Sequence, residues 1–564
     1  MAMRRLNCAV QNYAWGKRGS DSKVAQLKTL EREGFETEED KMYAELWMGT
    51  HPNGPSRVMP EAGDLIEGAE EGHAGIFLIE LLETHPHYLG DLEFIGDLPF
   101  MFKVLSINKA LSIQAHPDKK LAERLYATRP DLYKDDNHKP EMAVALSDFE
   151  GLCGFRPFEE IVFNLHRYPE LRGLVSLSAM RAMCSMPEKL EDQRDALRKL
   201  FNSYITAKPE IVATQVNALV QRLGPRVNPY DDGGFSSDGS MVSHESTLNS
   251  QQTWQFSGAA PQTWHIFPKR RRTLVFHSVG GNVFVPDYLP PRCSRVGFLH
   301  LVPLRVVVSV GQSAQSNNLS FVIPQDHTDH EDIDLEDIYG EDLEHREKGE
   351  VLLRRLKRED VHVQELMRRL SEEYPGDIGI MMPLLLNYMR MEEGESFFMA
   401  ANEPHAYLKG DILEVMARSD NVVRVALTPK YRDVPLLCEI LTYHMGAPPI
   451  VKPIQEDSVC RRFTPPIEDF ELDDMRIPAG TEYIPSVLSV PAIYIVLEGE
   501  GDGTDGVRQT VLRPGVVVFV AAKSVVTFNA KLGSPMRVVR THTNVHLDEV
   551  ASSNGGLQVV APFA

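Results

Sequence analysis

The hydrophobic pattern of the first 155 residues of the chain predicts strands and loops. Short apolar runs such as 98–105 stand between clusters of Gly, Pro, Asn and Asp, a pattern typical of β structure. The stretch 111–118 would place Ser112, Gln114 and His116 on one face of a strand and apolar residues on the other. Because polar groups inside a sheet need partners, this face is the first candidate for chemistry.

Further along the chain the period changes from two to that of a helix. Apolar residues recur at helical spacing among charges in two segments, 158–224 and 350–375, which predicts a helical domain in two parts. We interpret its apolar stripe as core rather than as a cofactor site. A short helix from Lys119 to about Thr128 is also predicted, with Asp118 as its N-cap.

Residues 225–349 separate the two helical parts and have a different composition. They include a Gly/Ser/Gln-rich tract typical of disorder and end in an acidic run. We interpret Lys269–Arg272 and His327–Asp332 as solvated charge clusters rather than as a nucleic-acid patch and a metal site. The segment is expected to be a disordered insert, either a lineage-specific loop or translated intervening sequence.

β character returns in the last part of the chain. Residues 376–455 are expected to complete the β domain begun by residues 1–157. In residues 456–564, strands separated by Gly-rich and Pro-Gly turns favour a jelly-roll or cupin sheet. This tail lacks a His/Glu cluster in a metal pattern, so we expect a degenerate, non-catalytic cupin. The fold class is therefore mainly β, with a helical domain inserted in a cupin or jelly roll.

Four residues form a candidate metal site. Gln114 and His116 share a strand face, Glu141 follows Lys139 on another predicted strand, and His405 lies far away in sequence. Nitrogen and oxygen ligands of this kind suit zinc, although two His and a carboxylate also serve non-haem iron. On spacing alone, structural or solvated roles are favoured over ligation, because 19 His residues offer many such triples.

Composition excludes several other classes of protein. The formal net charge is −21 over 564 residues, which argues against non-specific binding to nucleic acid or to anionic membranes. No run has the length of a membrane span and no signal-peptide core is present, so we expect a cytoplasmic protein. The 6 cysteines have no CxxC spacing and are interpreted as reduced residues.

A resemblance to a known family favours metal ligation over structural or solvated roles for these four residues. Eight ordered motifs resemble type I mannose-6-phosphate isomerases, which are zinc-dependent cupin enzymes. These motifs are Gln11–Gly16, Ala44–Pro52, Gln114–Lys119, Asn137–Met142, Pro375–Gly379, Pro404–Tyr407, Ser419–Arg424 and Leu427–Lys430. The resemblance implies a catalytic jelly roll, a helical domain and one zinc ion held by Gln114, His116, Glu141 and His405.

The resemblance also implies a reaction and a set of residue roles. The enzyme would interconvert mannose 6-phosphate and fructose 6-phosphate and so supply mannose for GDP-mannose. Arg424 is carried over as a catalytic residue, acting by electrostatic stabilisation or by substrate positioning. Glu414 is our expected proton-transfer base, with Lys139 or a metal-bound water as rivals.

The remaining expectations concern substrate binding and partners. Arg424 and Lys430 are the main candidates for the phosphate group, and Lys103, Lys139 and Ser112 are lesser ones. Tyr407, on the face of His405, is a further substrate-binding candidate. We expect a monomer whose partner is a sugar phosphate, with no nucleic acid and no membrane. The alternatives are a non-catalytic sugar-phosphate-binding cupin and a cupin-type iron dioxygenase.

Overall fold

The computed structural model describes residues 2–31, 35–60, 75–224 and 343–547, and five short strands between 263 and 321. Residues 229–332 form a compact unit separate from the rest of the chain. Its described strands make two small antiparallel sheets. They are Thr263–Ile266, Leu274–Val279, Asn282–Phe284, Val308–Val310 and Leu319–Phe321. Most of the predicted insert 225–349, including Lys269–Arg272 and His327–Asp332, lies outside the described residues.

Ten strands form the sheet that carries the candidate metal residues, here called the site sheet. Its strands are Ala9–Gln11, Glu45–Met48, Phe100–Ile107, Ile113–Ala115, Glu141–Ala145, Phe149–Phe155, Leu386–Met391, Ser396–Met399, His405–Ala417 and Val423–Ala426. Every pairing between them is antiparallel. The predicted β character of residues 1–155 and 376–455 is confirmed.

One long strand, His405–Ala417, organises the site sheet. Its first half pairs with Phe149–Phe155 and Ile113–Ala115, and its second half pairs with Phe100–Ile107 and Glu141–Ala145. Between the halves, Gly410 has a φ of +118°, which residues with a side chain rarely adopt. The strand therefore pairs with four segments that lie far before it in the sequence.

The tail folds into a second antiparallel sheet of eight strands, here called the tail sheet, and a four-stranded sheet. The tail sheet contains Met3–Asn7, Arg57–Val58, Ile454–Gln455, Cys460–Phe463, Glu471–Ile477, Ala492–Glu498, Val517–Val520 and Met536–His542. The smaller sheet contains Glu482–Tyr483, Gly501–Thr504, Gln509–Leu512 and Thr527–Ala530. Met3–Asn7 pairs with Val517–Val520, so the first strand of the chain belongs to the tail sheet.

The two large sheets share a core. Leu413 and Val415 of the site sheet pack in the same buried cluster as Ile493 and Phe519 of the tail sheet. Because side chains alternate along a strand, the intervening residues of His405–Ala417 face the other way. That opposite face carries Glu414, and it is the face on which the candidate site lies.

Helices account for most of the segments between the strands. The α-helices are Lys23–Glu31, Leu78–Thr84, Lys119–Thr128, Phe158–Arg167, Pro169–Arg172, Leu177–Cys184, Leu190–Ile205, Pro209–Leu223, Leu343–Glu373 and Val434–Ile440. Three 3₁₀ segments are Gly19–Asp21, Pro86–Leu92 and Ile378–Leu384, and a two-stranded ribbon joins Lys17–Arg18 to Met42–Tyr43. In the described chain, every helix is too short or too polar to cross a membrane.

Candidate metal and substrate site

His116, Glu141 and His405 meet in the interior of the protein. The Nε2 atom of His116 lies 3.3 Å from Oε1 of Glu141, and Nε2 of His405 lies 3.2 Å from Oε2 of the same carboxylate. All three residues are buried, and their potential ligand atoms lie within 4.8 Å of one another. The predicted strands thus bring together three of the four predicted ligands.

Backbone carbonyls orient both imidazoles. Nδ1 of His116 lies 2.7 Å from the carbonyl oxygen of Asn421, and Nδ1 of His405 lies 3.0 Å from that of Glu403. Because a carbonyl can only accept, each Nδ1 must carry the proton. The lone pair is then on Nε2, which faces Glu141. Metal-binding histidines are held by outer contacts of this kind.

Three of the ligand atoms at the centre of this group have no hydrogen-bond partner. Nε2 of His116, Nε2 of His405 and Oε2 of Glu141 are buried and make no hydrogen bond. Unpaired polar atoms of this kind are costly to bury unless something binds them. Two neutral imidazoles and a carboxylate are a donor set that suits a divalent transition metal such as zinc. The residues present therefore fit a metal ion.

The electrostatics agree with this donor set. Burial, only partly opposed by the nearby Glu141 carboxylate, lowers the pKa of His116 to about 4, which favours the neutral imidazole. Burial alone would raise the pKa of Glu141, but the contact with His116 and the charge of Lys139 outweigh it and hold that pKa well below its usual range. The carboxylate is therefore ionised and able to act as a ligand.

Gln114, the fourth predicted ligand, lies in a row with two other site residues. In the sheet register it stands opposite His405 on one side and opposite Arg424 on the other. Residues opposite one another on neighbouring strands share a face. Ser112 lies on the same face, with Oγ 3.3 Å from Oε1 of Gln114. The strand itself is shorter than predicted, covering Ile113–Ala115, so His116 follows its last residue.

A second buried cluster adjoins the three metal-facing residues. Nζ of Lys103 lies 2.8 Å from Oε2 of Glu414, and the Tyr407 hydroxyl donates to Oε1 of Glu414 over 2.7 Å. Lys139 lies near both clusters, since its Nζ is 3.3 Å from Oε1 of Glu141 and its charge also acts on the carboxylate of Glu45. The structure thus brings Lys103, Lys139, Tyr407 and Glu414 together with the three buried ligands.

Glu45 completes this cluster and was not identified by sequence reasoning. Its carboxylate accepts a hydrogen bond from Nε1 of Trp47 over 2.5 Å, and the Trp47 ring lies 5.3 Å from Nζ of Lys103. Burial raises the pKa of Glu45, partly opposed by Lys103. A sequence signal was available, because Glu45 and Trp47 alternate on a strand inside a predicted motif.

Charges also control the protonation of Lys103 and Tyr407. Burial alone would lower the pKa of Lys103, but the carboxylates of Glu414 and Glu45 raise it above its usual range. Burial, together with the charge of Glu414, raises the pKa of Tyr407 well above its usual range. Lys103 is therefore a cation and Tyr407 a neutral hydrogen-bond donor around the Glu414 carboxylate.

The two main phosphate candidates lie outside this buried cluster. Arg424 is half-buried on the strand Val423–Ala426, and burial lowers the pKa of its guanidinium. Lys430 is exposed on the segment that follows this strand. The structure therefore places Arg424 beside Gln114 in the sheet, whereas Lys430 is not brought into the buried cluster.

The fold and this site match known proteins. Residues 3–158 match the family model for the catalytic domain of type I phosphomannose isomerase. A zinc-bound crystal structure of mannose 6-phosphate isomerase superposes with a TM-score of 0.61 at 25% identity, covering 97% of this chain and 100% of that one. The coverage and TM-score are the same for a variant of phosphomannose isomerase from Salmonella typhimurium. The class of protein that fold and site define is the type I phosphomannose isomerases.

Sequence comparison extends the match over almost the whole chain. The mannose-6-phosphate isomerase of Macaca fascicularis is 32% identical over 538 residues, which cover 94% of this chain and 95% of that protein. Mannose-6-phosphate isomerase 1 of Arabidopsis thaliana is 30% identical over 546 residues, covering 96% of this chain and 94% of that protein. The chain belongs to the mannose-6-phosphate isomerase family.

Proposed function

We propose that this chain is an aldose–ketose isomerase that interconverts mannose 6-phosphate and fructose 6-phosphate with one zinc ion per chain. The observation that carries the proposal is the buried His116–Glu141–His405 group, in which both Nε2 atoms and Oε2 of the carboxylate have no hydrogen-bond partner. Gln114, opposite His405 in the register, would be the fourth ligand. A bound zinc supplies a redox-inactive Lewis acid for the sugar carbonyl.

The reaction moves a proton between C1 and C2 and interchanges a carbonyl and a hydroxyl group. We assign the proton transfer to Glu414, because Lys103 and Tyr407 hold its carboxylate in a fixed orientation. Lys139 is the rival, since its Nζ lies beside the ligand Glu141.

The basic residues fall into two groups, according to whether buried carboxylates balance their charge. Lys103 is matched by the carboxylates of Glu414 and Glu45, which favours a role in orienting Glu414 over a phosphate contact. Arg424 is half-buried and Lys430 is exposed, so they are the better candidates for the substrate phosphate. Ser112, on the face of Gln114, would add a hydrogen bond.

In this proposal, different segments of the chain form different domains. We assign residues 1–157 and 376–455 to the catalytic cupin, 158–224 and 350–375 to a helical domain, and 456–564 to a degenerate cupin. Among the described residues of the tail, Glu471 contacts both His542 and His546, but no three His, Cys, Asp or Glu side chains have ligand atoms that all lie within 4.8 Å of one another. The insert 225–349 has no role in this proposal.

The remaining assignments concern the cell. We propose a cytoplasmic monomer in carbohydrate metabolism that supplies GDP-mannose biosynthesis and needs neither nucleic acid nor membrane. The strongly negative net charge supports this assignment, because it disfavours polyanionic partners. Size-exclusion chromatography with light scattering checks the monomer, and a dimer mass would contradict it.

The experiment that tests the proposal is a coupled assay for fructose 6-phosphate formed from mannose 6-phosphate by the full chain. Turnover by wild-type protein and its loss in Glu414→Gln are expected, with His87→Ala as an exposed histidine control. Sugar-phosphate binding without turnover would contradict the isomerase and indicate a binding cupin. Oxygen consumption with bound iron would indicate a dioxygenase.

A further inference from the structure

The segment 418–421 lies against the loop 134–137, which leads into Lys139 and Glu141. Ser419 Oγ lies 2.7 Å from Oδ1 of Asp135 and 3.0 Å from the carbonyl oxygen of Asn137. In the other direction, the Asn137 amide donates to the carbonyl of residue 418 over 3.1 Å. Hydrogen bonds from both sides therefore hold the loop to this segment.

Asn421 makes the most contacts with the loop. Its Nδ2 donates to the carbonyl oxygens of Asp135 and Asn137 over 2.7 and 3.0 Å, and its Oδ1 accepts from the backbone N–H of Lys134 over 3.1 Å. The residue is 1% exposed, so no water competes for these bonds. Its side chain thus fixes three of the four backbone positions of the loop.

The backbone of the same residue holds a metal-facing histidine. The carbonyl oxygen of Asn421 accepts the hydrogen bond from Nδ1 of His116 over 2.7 Å, and this contact sets the tautomer that leaves Nε2 free. One residue is therefore bonded to His116 through its main chain and to the loop before Lys139 through its side chain.

We propose that Asn421 is a positioning residue that couples the orientation of His116 to the placement of Lys139 and Glu141. This inference rests on the proposed function, since it assigns these three residues to the metal ion and the substrate. Loss of the Asn421 side chain frees the loop and loosens the carbonyl that orients His116. Both the metal affinity and the rate of proton transfer then fall.

Asn544 offers a matched control in the tail. Its Nδ2 also donates to two backbone carbonyls, those of Pro465 and Ile467, and its Oδ1 accepts from the N–H of His546. It is 8% exposed, so a change to Ala removes the same kinds of bonds from a buried amide. A purely structural role of Asn421 would give the two Ala variants the same properties.

The test measures zinc affinity by competition with a chromophoric chelator and, separately, kcat and KM at saturating zinc. Asn421→Ala is expected to weaken zinc binding by about 10-fold or more, as outer-sphere changes do. With zinc restored, kcat is expected to fall by about 10-fold because His116 and Glu141 are displaced relative to Glu414, while KM changes little. Asn544→Ala should lose stability but keep zinc affinity and kcat.

A milder variant keeps the inference testable if Asn421→Ala does not fold. Ser419→Ala removes one hydroxyl from the same contact and is expected to change zinc affinity and kcat in the same direction by a smaller factor. Wild-type zinc affinity and kcat in a folded Asn421 or Ser419 variant would overturn the inference. Absence of zinc binding and of turnover in the wild type would instead overturn the proposed function, and the inference with it.

Discussion

At the scale of single residues, a buried ion pair with Lys103 holds Glu414, the carboxylate that we assign to proton transfer. Both side chains are less than a tenth exposed, and a second carboxylate, Glu45, acts on the same ammonium group. Removing one partner of a buried pair leaves an uncompensated charge and costs more than the pair itself contributes. Lys103 thus stabilises two buried carboxylates as well as orienting the catalytic candidate.

We predict that Lys103→Met lowers the free energy of unfolding by about 3 kcal/mol, because Glu414 loses its buried counter-charge. Turnover is expected to fall as well, since the Glu414 carboxylate is no longer held. Urea unfolding and the coupled assay measure the two effects.

The double variant Lys103→Met/Glu414→Gln serves as the control for this prediction. It removes both charges, so part of the lost stability should return while turnover stays low. A double variant no more stable than Lys103→Met would show that the cost comes from lost packing instead of from the unpaired carboxylate.

At the scale of elements, the helix Lys119–Thr128 begins shortly after His116 and lies between it and Glu141 in the chain. Asp118 Oδ1 accepts from the N–H of Leu121 over 2.9 Å, which confirms the predicted N-cap. Its second oxygen accepts from the Asn402 amide over 2.9 Å, near His405. The cap therefore also joins the segment after His116 to the segment before His405.

We predict that Asp118→Ala lowers the free energy of unfolding by about 1 kcal/mol through loss of the cap. Zinc affinity is expected to fall too, because the cap residue holds the segments that carry both histidines. Ser176→Ala is the matched control, since Ser176 Oγ caps the helix Leu177–Cys184 far along the chain from the site residues. Equal zinc affinity in both variants would refute the link between cap and site.

Local signals explain which elements were predictable. The Asp118 cap and the helical spacing before Leu223 involve residues within a few positions of each other, and both predictions are confirmed. In contrast, the pairing of Met3–Asn7 with Val517–Val520 joins the two ends of the chain, and no local pattern indicates it.

The same contrast between local signals and long-range contacts applies to the candidate site. Resemblance of motifs identified His116, Glu141 and His405, and the structure brings them together. Spacing alone did not favour a site, because two ligands lie on separate strands and the third just after another strand, and the order of these strands depends on the whole sheet. Asn421 was missed because its role lies in contacts with backbone groups and His116, which the sequence does not display. Glu45, in contrast, could have been found from its alternation with Trp47.

At the scale of the whole molecule, Asp505 of the tail binds the backbone at the start of the first strand. Its carboxylate accepts hydrogen bonds from the backbone N–H groups of Ala2, Met3, Val507 and Arg508. Burial alone would raise the pKa of Asp505, but these four donors lower it from 3.8 to about 2. The first strand therefore depends on a charged residue some 500 positions away in sequence.

We predict that the stability difference between wild type and Asp505→Ala depends on pH. Because the folded state lowers the pKa of Asp505, its stabilising effect is full above the unfolded value of 3.8 and is lost as the pH falls toward 2. Urea unfolding should give a constant difference between about pH 7 and pH 5 and a shrinking one below about pH 4. A difference that grows on acidification would contradict the assignment.

Zinc dependence of turnover is the most direct test of the account as a whole. The full chain is assayed for conversion of mannose 6-phosphate before chelation, after chelation and after return of zinc, and bound metal is counted each time. We expect one zinc per chain, loss of turnover with the metal and recovery on its return, with neither binding nor turnover in His405→Ala. Full turnover by metal-free protein would contradict the account.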